Sequence, residues 1–239
     1  MTEVKGLAAS VLSALRANAA EGGLDLLGRV CRECVRLVPV DGAAITVVAH
    51  AGQRELVHAT DAVSATLADL QFVLGEGPSF EAYAGGEPVL VPDLAADLAP
   101  TWPVFAVEAA TQAAALFSFP VHIGGISVAT FDTHRAVPGQ LSPGDLVVAR
   151  QLAGIAALAL SGLSSNAGRR LGGDGSGMSG AGMRYRQVSQ ATGMVMAVLT
   201  LPPAAALARI RAYAFACGRP LLDVVTRQLD PAEVADPES

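Results

Sequence analysis

A glycine- and serine-rich segment, residues 164–182, divides this chain of 239 residues into two parts that we expect to fold separately. Seven of its nineteen residues are glycine and four are serine. This composition is typical of flexible linkers, because it offers little apolar surface to bury. We therefore predict a domain at residues 8–163, a linker at 164–182, a second domain at 183–230 and an acidic tail at 231–239.

Charge is distributed unevenly between these parts. Residues 1–165 hold eight Lys/Arg against sixteen Asp/Glu, whereas residues 183–229 hold six arginines against the single acid Asp223. The net charge of −6 would argue against a nucleic-acid partner if the chain were taken as a whole. Phosphate binding responds to local charge, however, so the second domain is a compact basic module that suits nucleic acid.

The first domain mixes helical and strand patterns. Apolar residues recur at three- and four-residue steps over 24–38, which predicts an amphipathic helix. The β-branched stretch 43–49 indicates a buried strand with a hairpin partner at 55–60, and further strands are expected at 88–91, 114–121 and 126–132. Helices are expected at 11–15, 62–73, 79–84, 102–115 and 143–163. The pattern predicts an α+β fold: one antiparallel sheet with helices on it.

The second domain has three helical patterns and no strand pattern, so we predict a small all-α domain. The first helix spans about 184–199, the second begins at Pro202–Pro203, and the third spans 221–229. A unit of this size is marginal alone, so it should pack on a second copy or on helices of the first domain. The residues predicted to face inward are Val188, Ala191, Val195, Leu199, Leu207, Ile210, Ala214, Cys217, Leu221, Val224, Val225 and Leu229.

Catalytic and metal-binding motifs are weak throughout. Cys31 and Cys34 form a CxxC pair, but it lies inside a helix on an apolar stripe without a second Cys/His pair, so both are interpreted as buried structural residues. The GxGxxG match at 175–180 lacks the preceding strand that gives the motif its meaning. The four histidines have no metal-ligand spacing. We therefore expect no enzyme, no cofactor and no metal site.

The sequence also indicates where the protein works. Residues 1–10 have no long apolar stretch of the kind found in secretory signals. The most apolar segment, 152–163, is too short by itself to cross a bilayer. We therefore expect a cytoplasmic protein without a membrane partner.

Bulky aromatic residues of the first domain could line a small-molecule pocket, or they could form the ordinary core of an alanine-rich domain. The sequence leaves both interpretations open. The candidates are Phe80, Tyr83, Trp102, Phe105, Phe117, Phe119 and Phe131.

The first domain resembles GAF sensor domains of the actinobacterial type. The resemblance rests on GEGP at 75–78 with EAY at 81–83, PVLVPDL at 88–94, WPVF at 102–105, Phe119–Pro120 and Gly124. It implies a sensory domain with a small-molecule ligand. Relatives often have cysteine after GEGP, where this chain has Ser79, and the residue set of cyclic-nucleotide-binding members is absent. The ligand therefore stays open.

The second domain resembles ANTAR, an RNA-binding antiterminator module of bacterial regulators. QATGMVM at 190–196, ARIRAYA at 208–214 and GRPLLDVV at 218–225 carry the resemblance. It implies binding to paired RNA hairpins in transcript leaders, prevention of a terminator, and action as a homodimer. The RNA-binding candidates are Arg184, Arg186, Gln190, Gly193, Arg209, Arg211, Tyr213 and Arg219.

Two of these candidates have a reasoned role. Arg209 and Tyr213 are four residues apart on a helix, which suits phosphate contact and base stacking in loop RNA or an exposed cation–π pair. Gly193 costs a helix ~1 kcal/mol relative to alanine, which a close RNA backbone or tight helix packing would explain. The alternative function is a protein-interaction or dimerisation module behind a ligand-binding sensor.

Overall fold

The structure is a computed structural model that describes residues 10, 13–15, 23–48, 54–96, 102–167, 180–217, 219, 224–225 and 234. Contacts divide the chain into two compact units, Met1–Val47 with Leu56–Gly175, and Val48–Glu55 with Ser176–Ser239. The elements before Gly175 are α1 (Leu24–Leu37), β1 (Gly42–Val48), β2 (Arg54–Ala59), α2 (Ala62–Leu74), α3 (Pro78–Gly85), β3 (Val89–Val91), α4 (Pro103–Ala110), β4 (Ala115–Ile123), β5 (Ile126–Arg135) and α5 (Pro143–Ala167). The elements after it are α6 (Gly180–Leu199) and α7 (Pro203–Ala216).

The five strands form one sheet in the order β2-β1-β5-β4-β3. β5 is central and pairs antiparallel with β1 on one side and with β4 on the other. Gly124 and Gly125, both with positive φ, make the tight turn between β4 and β5, as glycine pairs do in two-residue hairpins. The predicted α+β fold with an antiparallel sheet and flanking helices is therefore confirmed.

The sheet separates two hydrophobic clusters. The larger one lies where α1 and α5 pack on the sheet, and it includes Leu27, Val30, Ile45, Phe117, Phe119, Phe131, Leu152 and Ile155. The smaller one joins α2 and α4 and includes Leu67, Leu94, Trp102, Phe105 and Leu116. Leu116 and Phe117 are neighbours in β4 but belong to different clusters, because successive side chains of a strand point to opposite faces.

Helix boundaries differ from the sequence expectation at two places. α4 ends at Ala110, not at 115, because Ala115 already pairs with Arg135 in the sheet. α5 continues to Ala167 and α6 begins at Gly180, so both helices enter the segment predicted as linker. Residues 168–179 lie outside the described residues.

α6 and α7 pack on each other through the expected apolar positions. Val188, Ala191 and Val195 of α6 are buried, and so are Ile210 and Ala214 of α7. Cys217, by contrast, was expected on the buried stripe and is exposed, because α7 ends one residue before it. Of the third predicted helix only residues 224 and 225 are described; both are helical, and the remainder lies outside the described residues.

One helix among the described residues, α5, contains a stretch long and apolar enough to cross a membrane by length and composition. That stretch, Pro143–Gly162, has a mean hydropathy of 1.3 and is longer than the apolar segment at 152–163 considered from the sequence. Its buried residues pack in the larger cluster. Core helices of soluble proteins have the same properties.

Candidate functional site

Part of the sheet face opposite the larger cluster is polar and buried. In the register of the sheet, Asp132 of β5 lies opposite Ser118 of β4, and Thr130 lies opposite Thr46 of β1. Residues directly opposite in an antiparallel pair lie on the same face, and so do residues two apart in one strand. Thr46, Ser118, Thr130, Asp132 and His134 therefore share one face, and each is buried. We call these five residues the polar face.

A chain of hydrogen bonds joins α2 and α3 to the polar face. The Ser79 amide donates to Gln71 Oε1 over 2.7 Å, and Ser79 Oγ shares a 2.7 Å hydrogen bond with Thr130 Oγ1. Thr130 Oγ1 in turn lies 3.4 Å from Asp132 Oδ2, to which it donates. Ser79, the residue after GEGP, is 2% exposed, so its side chain does not contact solvent. It bonds to the sheet and so links α3 to it.

Asp61 joins the other end of the polar face to the start of α2. Its carboxylate accepts from the Ser64 amide at 2.8 Å and from Thr60 Oγ1 at 2.6 Å, and its Oδ1 lies 3.2 Å from His134 Nε2. Burial raises the pKa of Asp61, but the hydrogen bonds from Thr60 and Ser64 and the nearby His134 outweigh it and hold that pKa below its ordinary value. The carboxylate is therefore the favoured form.

Gly42 makes the Asp61–His134 contact possible. A Cβ at this position would collide with Asp61 Oδ2, His134 Nε2 and Ser64 Oγ. The glycine therefore keeps open the space in which the carboxylate and the imidazole meet.

Among the buried polar atoms on or beside the polar face, Gln71 Nε2, Ser118 Oγ and His134 Nδ1 have no hydrogen-bond partner among the described residues. Leaving a buried donor or acceptor unpaired costs about 1–3 kcal/mol. A polar ligand or water under α2 and α3 would satisfy these groups. The described residues hold no group of three or more His, Cys, Asp or Glu placed to bind a metal ion.

GEGP has a structural role that the sequence alone did not reveal. Glu76 Oε1 accepts from the Val104 amide at 3.1 Å and from the Phe105 amide at 2.7 Å, so it caps the first turn of α4. Gly77 has φ of 127°, and a Cβ there would lie 2.8 Å from the Gln71 side chain. The motif thus holds α2, α3 and α4 together beside the polar face.

The seven aromatic candidates do not converge on one pocket. Phe117, Phe119 and Phe131 lie in the larger cluster, where the Phe119 and Phe131 ring centroids are 6.3 Å apart. Trp102 and Phe105 lie in the smaller cluster. Phe80 and Tyr83 are half-buried on α3. Five of the seven are therefore core residues.

Sequence reasoning missed the polar face, although a signal was present. Thr130, Asp132 and His134 occupy alternate positions of β5, which marks one polar side of a strand. In a half-exposed strand that side would face water. Here α2 and α3 cover it, so the alternation marks a buried polar layer.

The RNA-binding candidates differ in exposure. Gln190, Gly193, Arg209 and Arg219 are exposed. Arg211 and Tyr213 are half-buried, and burial lowers the pKa of the Arg211 guanidinium to about 10. The side chains of Arg184 and Arg186 lie outside the described ones, although both residues belong to α6.

Cys31 and Cys34 are both buried and free, which agrees with the structural interpretation. Burial raises the pKa of both thiols, that of Cys34 to about 12, so neither is a ready thiolate.

Comparison with solved structures shows the same fold at low identity. Free methionine-R-sulfoxide reductase from Neisseria meningitidis, solved with its substrate, is 15% identical; the match covers 67% of this chain and 92% of that one, with a TM-score of 0.53. The GAF domain of an Acinetobacter phosphoenolpyruvate-protein phosphotransferase is 13% identical; the match covers 69% and 95%, with a TM-score of 0.50. At such identities the likeness concerns the fold alone.

Comparison with curated proteins gives no match. A family model described as "GAF domain", by contrast, matches residues 24–161, which is more than half of the chain and includes every element from α1 to most of α5. The chain belongs to the GAF domain family, and residues 24–161 are its sensory domain.

Proposed function

We propose that this chain is an RNA-binding regulator of transcription, in which the GAF domain senses a small molecule and the C-terminal ANTAR-like helices act in antitermination on paired leader-RNA hairpins. In this proposal the protein is a cytoplasmic homodimer, and it needs neither turnover nor a cofactor. The basic charge of residues 183–229 and the ANTAR resemblance support the RNA partner.

The surroundings of Gly193 are the observation that carries the proposal. Gly193 lies inside α6 and is exposed, and among the described residues no atom lies within 4 Å of a Cβ added there. Tight packing against the described part of the chain therefore does not explain a glycine that costs the helix ~1 kcal/mol relative to alanine. Close approach of an outside backbone does, and the neighbouring Gln190 offers it an amide that can donate and accept.

Arg209 extends this surface on α7. It is exposed, while Ile210 beside it is fully buried. An exposed guanidinium can make a bidentate contact with phosphate. Tyr213, one turn later and half-buried, presents part of an aromatic ring on which an unpaired base could stack.

The test is binding of the full chain to a leader RNA with two hairpins. Gly193→Ala should leave folding intact, because its Cβ meets nothing, yet weaken binding through the lost close approach. Arg209→Ala should weaken binding about five- to tenfold and reduce the slope of log K against log salt by about one, as loss of one phosphate contact does. Arg29→Ala, at an exposed arginine of α1, is the matched control and should bind normally.

Unchanged affinity in both Gly193→Ala and Arg209→Ala would refute this surface. If the RNA affinity of the Arg209→Ala variant falls by the same factor at every salt concentration, the lost contacts are apolar and not ionic. That result would favour the alternative described below.

The sensory part of the proposal places a small polar ligand on the polar face. Because Ser118 Oγ has no partner among the described residues, Ser118→Ala should not destabilise the protein. It should, however, reduce the thermal shift given by any polar metabolite that binds there. A metabolite whose shift is the same in both proteins binds elsewhere.

The alternative is a protein-interaction module, and one observation favours it. Met194 and Val198 are one turn apart on α6 and are 46% and 57% exposed. Apolar side chains at this spacing suit a partner helix. If this alternative holds, the full chain should not bind the leader RNA, and replacing both residues by glutamate should abolish self-association measured by sedimentation.

A further inference from the structure

A cleft of about 330 Å³ lies beside the end of β4, and none of the five polar face residues lines it. It forms because β3 is only three residues long and pairs with β4 no further than Ser118, whereas β4 continues to Ile123. The turn at Gly86–Pro88 forms one wall and α5 forms another. Its volume is at the lower end of the range for ligand pockets, about 300–1,000 Å³, so it suits a small ligand.

Apolar and polar residues line the cleft together, and the apolar side chains are those of Pro88, Phe119, Pro120 and Ala153. Phe119 and Ala153 are buried, and Pro120 lies between Phe119 and the strand end. A sheet irregularity falls between Val121 and His122, and His122 lines the cleft. Irregularities of this kind re-aim a side chain and are frequent beside binding sites.

Two opposite charges line the cleft on different walls. Glu87 belongs to the turn and Arg150 to α5, and both are exposed. Neither has an ion pair within 4 Å among the described residues, with the other or with any third group, whereas Arg36 and Glu33 do pair. Both charges therefore border the space that a ligand would fill.

Gly154 keeps this space open. It lies inside α5, lines the cleft, and has no atom within 4 Å of an added Cβ. A glycine inside a helix is less favourable than alanine, and packing within the described chain gives no reason for it here. A larger side chain at Gly154 would extend into the open space without a clash.

We propose that this cleft binds a small zwitterion with an apolar side chain, that is, a free apolar amino acid. The Arg150 guanidinium holds the carboxylate, Glu87 accepts from the ammonium group, and the side chain lies on Phe119, Pro120 and Ala153. The site is independent of the polar face and of the RNA-binding proposal.

Calorimetric titration of the full chain with L-phenylalanine, L-leucine and L-methionine tests the proposal. We expect saturable binding by at least one of them. The matching analogues that lack either the amine or the carboxylate, such as 3-phenylpropionate and 2-phenylethylamine for phenylalanine, should bind at least tenfold more weakly, because each loses a charge-assisted hydrogen bond.

Variants locate the site. Arg150→Gln and Glu87→Gln should each raise Kd about tenfold or more, and Gly154→Leu should abolish binding by filling the cleft. Arg29→Gln and Glu108→Gln, at exposed residues of α1 and α4, are matched controls and should leave Kd unchanged. Absence of binding by all three amino acids overturns the proposal. Binding that is lost in Ser118→Ala but kept in Arg150→Gln overturns it too, because the ligand then sits on the polar face.

Discussion

Removal of the Glu76 carboxylate should destabilise the GAF domain through the first turn of α4. Trp102 occupies the N-cap position of this helix and makes no side-chain cap, and Glu76 Oε1 takes over by accepting from the Val104 and Phe105 amides. Loss of an N-cap costs about 0.5–2 kcal/mol, and loss of an anion at a helix N-terminus about 0.3–1 kcal/mol. We expect Glu76→Ala to lower the free energy of unfolding by about 1–3 kcal/mol. Glu76→Gln, which keeps the acceptor oxygen, should cost only about 0.3–1 kcal/mol.

Tryptophan fluorescence reports on this helix directly. Trp102 is the only tryptophan of the chain and is 8% exposed, so its emission should change when α4 loses its packing. Urea unfolding of the full chain, followed by this emission, gives the free energy of each variant. Glu108→Ala, at an exposed position near the other end of α4, is the control.

The order of the variants decides whether the reasoning is right. Stability should fall from the wild type to Glu76→Gln and further to Glu76→Ala, with Glu108→Ala near the wild type. Equal stability of Glu76→Ala and the wild type would refute the capping role. Equal losses in the Gln and Ala variants would show that charge, and not hydrogen bonding, carries the effect.

Three further predictions concern other parts of the molecule. The pKa of Asp61 lies below its ordinary value of 3.8, so the carboxylate stabilises the fold above that pH and this contribution is lost as pH falls through the lowered pKa. Asp61→Asn should therefore flatten the dependence of the unfolding free energy on pH in this acid range. An unchanged pH dependence would contradict the prediction. Native protein should react with a thiol reagent at Cys217 alone, because the two cysteines of α1 are buried with raised pKa values, and three reactive thiols before unfolding would be the contrary result. Gly42→Ala should lower the free energy of unfolding by about 1–3 kcal/mol through the collision with Asp61, whereas Gly154→Ala should raise it by ~1 kcal/mol. Thermal unfolding of the two variants measures both changes, and two changes of the same sign would contradict the prediction.

Local patterns predicted most elements of the GAF domain because local physics determines them. The apolar spacing in α1 and the glycine pair between β4 and β5 each require one backbone conformation. The end of α4 was predicted too late in the sequence. The residues after Ala110 are compatible with a helix, and it is the pairing of Ala115 with Arg135 in the sheet that ends the helix earlier. Such pairing depends on a strand twenty residues away, which a local window does not contain.

The candidate site was less accessible from the sequence than the fold. The sequence directed attention to aromatic residues, yet Phe117 and Phe131 lie on the apolar face of the sheet. The polar face needed the strand register and the burial of Thr130 and Asp132 under α3, neither of which follows from residue spacing. The cleft beside β4 depends on the short length of β3, which the sequence indicated, and on the position of α5, which it did not.

The alternation along β5 separates two tasks at neighbouring residues. Phe131 contributes to the hydrophobic core, whereas Thr130 and Asp132 on either side of it contribute hydrogen-bonding groups to the polar face. Under the proposal that the ligand binds on the polar face, substitutions at even-numbered positions from 130 to 134 should alter ligand preference while Phe131 still packs in the core. Related sequences should conserve size and apolarity at position 131, and where positions 130, 132 or 134 differ, the partners Ser79 and Asp61 on α3 and before α2 should differ with them.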